Sequence, residues 1–239
     1  FIVTATFGQQ VRLDQGPVKV TLLNLSGAYE IPMGDMADRF DSNVGVKVGV
    51  YHKLNTNWLF GVDGGFILGN SVDLEDVLDP ILTEEGTIIG NNGFPVEWFA
   101  LERGFHLSAK VGKLFPMFGP NENSGLVVMA GPYFLQHKIK YDIVDGSTNV
   151  LQTETVKNFD QLTNGVGANE FIGYLNQSNN GRVNFMVGID FAQAFTQNRR
   201  SYNANVDGPN EESRVDMLIG FKAGWIIPLY GNTGKDIEF

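Results

Sequence analysis

The feature that most restricts this chain is a two-residue alternation near its end. From Val215 to Leu229 the odd positions are Val215, Met217, Ile219, Phe221, Ala223, Trp225, Ile227 and Leu229, all apolar. The even positions hold Asp216, Gly220, Lys222 and Gly224 among others. A helix turns about 100° per residue and would scatter the odd positions around its axis, whereas a strand puts them on one face. The same alternation recurs with Val44, Val46, Val48 and Val50 against Gly45, Lys47 and Gly49, and with Trp58, Phe60, Val62, Phe66 and Leu68 against Gly61, Asp63 and Gly65. It appears again over Phe105–Phe115 against Gly104, His106, Ser108 and Lys110, and over Val183–Phe191 against Asn184, Gly188 and Asp190. Three weaker segments, Lys19–Ile31, Gly125–Tyr141 and Ala168–Gln177, do not assign their faces. The total is eight strands, an even number of the kind that closes an antiparallel barrel.

Connection lengths alternate as well. Asn55–Asn57, Met117–Ser124 and Asn179–Gly181 are short and rich in turn residues, while Pro32–Ser42, Asn70–Arg103, Asp142–Gly167 and Asn198–Arg214 are long. Short turns on one rim and long loops on the other are the layout of an up-and-down transmembrane barrel with short periplasmic turns and long extracellular loops.

Alternation alone does not say which face points out, because a soluble eight-stranded barrel carries its apolar face inside. The other face decides. It is mostly glycine with a few Asp and Lys, too sparse in charge for a water-exposed wall but suited to a narrow filled bore. Charged residues make up 18% of the chain, below the roughly 25% of soluble domains. No run approaches the roughly 18 consecutive apolar residues that a spanning helix needs. The reading is an all-β, eight-stranded outer-membrane barrel over residues 18–230, its bulky side chains against outer-membrane lipid. Residues 1–17 are an N-terminal arm or the remnant of a secretory signal, and 231–239 a C-terminal tail. Trp58, Phe115, Trp225 and Tyr230 near the short-turn rim, and Tyr29, Phe66, Phe105 and Phe195 near the other, would form two interfacial aromatic girdles, although aromatic side chains favour strands in general.

Parity places Lys47, Asp63, Lys110, Asp190 and Lys222 inside the bore at middle depth, with Glu30, His106 and Asp216 nearer the long-loop rim. Opposite charges in a dry lumen must pair. A structural salt-bridge plug is the first reading, and a proton or ion path the second. His106 and Ser108 share a face and suggest a nucleophile with its base, but parity turns both toward the bore rather than toward lipid. His52 and His137 lack partners at metal-ligand spacing, and no cofactor or metal is expected. The acidic stretch Asp73–Asp79 reads as a solvated loop, a short helix start or a weak Ca²⁺ site without EF-hand spacing. Apolar residues such as Ile81, Leu82, Ile88 and Trp98 give the same long loop the makings of a folded cap or partner surface. The net charge of −10 argues against nucleic acid, and with no cysteine no disulfide or thiolate site exists.

Three stretches carry a family resemblance. Tyr29–Asp38, with the alternating strand after it, and Asn57–Phe66 resemble the first strands of small outer-membrane barrels from the Bacteroidota, and Gly224–Tyr230 resembles their closing strand. The architecture is similar to that of OmpX- or OmpW-like proteins. Members end on an aromatic residue, a place that Tyr230, or Phe239 at the end of the tail, would fill. The resemblance implies a non-enzymatic accessory subunit of a larger outer-membrane complex, for protein assembly or type IX secretion, with other outer-membrane proteins as partners. It also leaves open a barrel that binds or transports small solutes. The His-x-Ser pair resembles that of outer-membrane lipid A deacylases, which keeps a lipid-modifying enzyme as a third reading. The Arg, Asn and Pro-Gly-x-Glu context of that family is missing around it.

Overall fold

The computed structural model describes residues 13–74, 77–151 and 154–230. Its strands are β1 (Val20–Gly34), β2 (Asn43–Lys53), β3 (Trp58–Gly69), β4 (Ile88–Ile89), β5 (Pro95–Pro116), β6 (Gly125–Asp145), β7 (Thr163–Gln177), β8 (Asn184–Asn198) and β9 (Ser213–Leu229). Consecutive long strands pair antiparallel, β9 pairs with β1, and β3 pairs with β5, which closes the ring. The barrel therefore has eight strands, and β4 is a short edge outside it on the start of β5. Of the arm expected over residues 1–17, the described part begins at Leu13 and opens with a 3-10 turn over Leu13–Gln15; residues 1–12 and the tail expected over 231–239 lie outside the described residues.

Burial alternates residue by residue, as in β2, where Asn43, Gly45, Lys47, Gly49 and Tyr51 are buried and Val44, Val46, Val48 and Val50 are exposed. The bulky aliphatic face is outside. Valines 41–59% exposed along a whole strand are what a hydrocarbon solvent permits and water does not. The exterior is that of a transmembrane barrel of the outer-membrane type.

The bore is packed in layers. Leu22, Leu59, Leu114, Val127, Phe171 and Ile226 fill the short-turn end. Ionic side chains occupy the middle. Above them Met36, Phe40, Ile67, Leu135 and Leu218 join Leu78 and Ile88 of the long loop after β3 in a second apolar layer, which roofs the barrel. Glycine on the inner face makes room for these side chains. A Cβ on Gly188 would meet the Cα of Gly173 at 2.5 Å and the Phe171 ring at 2.8 Å, so that ring fits against both strands only because neither residue carries a side chain.

The expected boundaries differ most at β5 and β7. β5 starts at Pro95 rather than near Phe105, and β6 runs to Asp145. Beyond the last β3 contact, Gly69 to Glu102, the β5–β6 hairpin continues through Ala100↔Tyr141 and Trp98↔Ile143. Its inner face packs Trp98 on Tyr141, with ring centroids 6.1 Å apart. Glu97, Glu102 and Arg103 break the apolar period there, which hides the strand. β7 begins at Thr163, five positions before the expected start, because Gly165 and Gly167 give its inner face no apolar signal.

Candidate functional site

Six charged side chains from six strands meet in the bore: Glu30 (β1), Lys47 (β2), Asp63 (β3), Lys110 (β5), Asp190 (β8) and Lys222 (β9). Lys47 Nζ lies 2.7 Å from Glu30 and 3.3 Å from Asp190. Lys110 Nζ lies 3.0 Å from Asp63 and 3.1 Å from Asp190. Lys222 Nζ stands 4.0 Å from Asp63 and 3.9 Å from Asp190, between the Phe171 ring at 5.6 Å and the Tyr51 ring at 6.0 Å. Three ammonium groups thus face three carboxylates, and every lysine touches two of them. Asp63 also accepts from the Tyr51 hydroxyl and from Ser108 Oγ at 2.7 Å. All six are nearly inaccessible to solvent, and their mutual neutralisation is what makes such burial tolerable.

The sequence placed all six inside the bore, five of them at middle depth. It set Glu30 apart near the rim, whereas Glu30 is the closest partner of Lys47. Tyr51 and Ser108 were missed as donors, because their contacts cross the bore and depend on strand stagger. Ser108 spends its hydroxyl on Asp63, and His106 instead stacks on Tyr133 with centroids 5.5 Å apart; no hydrogen bond joins the two. Asp216 anchors a second cluster near the long-loop rim, accepting from Arg39 at 2.7 Å and Thr196 at 2.6 Å and lying 2.8 Å from His137 Nε2. At the opposite mouth Lys53 Nζ donates to Asn123 Oδ1 at 2.8 Å and to the Val18 carbonyl at 3.0 Å. That contact ties the segment before β1 across the opening. Glu75 and Asp76 of the acidic stretch lie outside the described residues, and Asp79 opens a short 3-10 turn over Asp79–Ile81.

On the outer wall Trp58, Phe115 and Trp225 are exposed near the short-turn rim, and the Lys113 ammonium sits 5.6 Å from the Trp58 ring centre. Tyr230 departs from the expected girdle. It follows β9 at an even position and packs inward against the bore cluster with Val18.

Two polar residues break the wall between its rims. Glu170, in the middle of β7, alternates with the buried Asn169 and Phe171 and therefore points outward. Its Oε2 is out of contact with solvent and has no hydrogen-bond partner. Gln193, on β8 opposite Ala168, also points outward. Sequence reasoning missed both; the visible signal was a polar residue at an outward parity, once the parity of β7 is known. Beside them the wall is dented. Ala109, Pro132 and Ala168, small outward residues of β5, β6 and β7, lie in line, with Pro132 opposite Ala168. Leu107, Phe134, Val166 and Phe195 form a bulky row next to them, paired in sequence across the four strands. An open trench of about 830 Å³ runs along this row from Val48, Val50 and Val62 to Phe195, with Ala109 and Pro132 in its floor. Pro132 has no N–H, and the β5–β6 pairing passes from Ser108↔Tyr133 to Val111↔Ala130 across this point.

No protein-family model and no curated protein matches the chain. Solved structures similar to it include Neisserial surface protein A (9% identity, TM-score 0.43, 87% of this chain and 96% of that one). A major outer membrane protein from Thermus thermophilus has 9% identity and a TM-score of 0.44, over 87% of this chain and 99% of that one. Ail, the attachment invasion locus protein of Yersinia pestis, has 11% identity and a TM-score of 0.40, over 88% and 99%.

Proposed function

We propose that this barrel is a non-enzymatic accessory subunit of a bacterial outer membrane, acting through its surfaces rather than its bore. The observation that carries the reading is the filled interior. A balanced ionic layer lies between two apolar layers, the loops roof one end, and the Lys53–Asn123 contact spans the other. A conducting barrel needs a continuous wetted path, whereas these lysines and carboxylates already satisfy one another. What remains for contact is the loop side, with its protruding β5–β6 hairpin, and the membrane-facing wall. The resemblance to small Bacteroidota barrels points to protein-assembly or type IX secretion machinery as the class of larger complex.

Two measurements test this together. Reconstituted in planar bilayers, the protein should give no stepwise conductance. Extracted from its own cells in a mild detergent, it should migrate with a much larger membrane protein. Steady conductance would favour solute transport instead, and a lone barrel in gentle extraction would remove the accessory role.

A further inference from the structure

Glu170 is the observation that the sealed bore does not absorb. Among the described residues, ionisable side chains on the outer wall, such as His52, Arg103, Lys113 and Lys138, stand near the rims of the ring, where water and headgroups solvate them. Glu170 instead sits at the centre of β7 between Ala130 of β6 and Phe191 of β8, with one carboxyl oxygen shielded and unpartnered. An ionisable group in contact with hydrocarbon is expensive and marks a site that acquires a partner.

We infer that the outward face of β6–β8 around Glu170 is where the barrel docks, within the bilayer, against a different transmembrane protein. That protein would bring a hydrogen-bond donor or a cation to the carboxyl. The inference rests on the accessory role proposed above and says which wall serves it. Three features select the occupant. The carboxyl needs a donor, which an acyl chain lacks. A second copy related by a two-fold axis along the membrane normal would bring Glu170 to the level of Glu170, carboxyl against carboxyl, while among the described residues the outward cations named above stand near the rims. The adjoining trench, floored by Ala109 and Pro132 and running from Val62 to Phe195, has a shape that a row of bulky side chains on another wall can fill. Gln193, two residues from Phe195 at the trench end, supplies a second polar contact. The complement is therefore a foreign transmembrane surface, apolar and ridged, with a Lys, Arg or amide at middle depth.

The test uses the tagged full-length protein in its own cells. Glu170→Leu and Glu170→Gln are compared with Val46→Ala, a change on the far wall. A photo-crosslinking residue is placed at Ala168 in otherwise wild-type protein. Folding of each variant is checked by the gel-mobility shift of the unheated barrel. Glu170→Leu should stay folded yet lower recovery of the larger membrane protein on the order of tenfold, Glu170→Gln less, and Val46→Ala not at all. The crosslinked peptide should map to a membrane-spanning segment that carries a donor, and replacing that donor should reproduce the loss. Undiminished recovery with Glu170→Leu overturns the assignment of this wall while the accessory role stands. Absence of any larger protein with wild type overturns both. A crosslink to lipid alone, or to a second copy, sinks the choice of occupant.

Discussion

Asp190 and Glu170 are neighbours across one ladder, Asp190 opposite Phe171 and Glu170 opposite Phe191, yet they meet opposite surroundings. Asp190 points into the bore and lies within 4 Å of three ammonium groups. Glu170 points out and has an oxygen with no partner. Successive positions of a β-ladder face opposite sides of the sheet, so the two carboxylates meet different surroundings, and the chain has furnished counter-charges on one side only. The difference separates two uses of a costly group. Inside, the charge is matched within the chain and holds six strands in one arrangement. Outside, the match has to come from elsewhere. The comparison predicts stability changes of opposite sign for carboxylates one ladder position apart.

The largest effect should follow loss of Asp190. Asp190→Leu would leave Lys47, Lys110 and Lys222 with only Glu30 and Asp63, burying a net positive charge in a dry layer. Removing one member of such a cluster costs about 3–5 kcal/mol. Urea titration of the barrel folded into lipid vesicles should show that loss, and a change below about 1 kcal/mol would mean that water reaches the layer.

The next test asks whether the lysines and carboxylates act as a unit. Lys110→Met and Asp63→Asn should each destabilise, since each strands a partner, while the double variant should cost less than their sum. The coupling should be about 1–3 kcal/mol for groups 3.0 Å apart. Strict additivity in a double-mutant cycle would remove the picture of a matched cluster. Some residual imbalance is expected even in the double variant, because Lys222 also faces Asp63 and Tyr51 donates to it.

Outside, the sign should reverse. In the purified barrel, away from any partner, Glu170→Leu replaces a lipid-facing carboxyl by a side chain that lipid accepts. The gain should be about 1–2 kcal/mol, somewhat less than for a lysine or arginine at the same depth. The same urea titration reads it. Destabilisation instead would mean that Glu170 is held by contacts within its own chain, and the docking surface would lose its premise.

The contrast also explains which parts of the molecule were legible in sequence. On β2, β3, β8 and β9 the outward residues are nearly all bulky and apolar, so parity places Lys47, Asp63, Asp190 and Lys222 in the bore without knowledge of the fold. On β7 the inner face mixes Thr163, Asn169 and Gln177 with Gly165, Gly167, Phe171, Gly173 and Leu175, and the outer face mixes Asn164, Glu170 and Asn176 with Val166, Ala168, Ile172 and Tyr174. The outer face is there as polar as the inner, and alternation stops distinguishing them. The strand was visible, its faces were not, and Glu170 stayed hidden with them. Contacts across the bore were illegible for another reason. Whether Tyr51 reaches Asp63, or Glu30 reaches Lys47, depends on the stagger of the closed ring, which no single strand encodes. The outward extension of β5 and β6 escaped because its outer face meets water above the ring and its inner face meets the cap, so neither keeps the lipid-facing pattern.

The smallest predicted effect sharpens the comparison most finely. Gln193 shares the outward face with Glu170 but carries no charge, and its strand partner Ala168 offers no side-chain hydrogen bond. Gln193→Leu in the purified barrel should stabilise by about 0.5–1 kcal/mol, the scale of removing an amide from a poorly solvating environment, and so by less than Glu170→Leu. Combined, the two substitutions should add if each side chain waits separately for a partner. Non-additivity above about 0.5 kcal/mol would show instead that Glu170 and Gln193 reach one another along the wall. The amide would then be an internal partner for the carboxyl, and the outer site would resemble the bore more than the contrast between them allows.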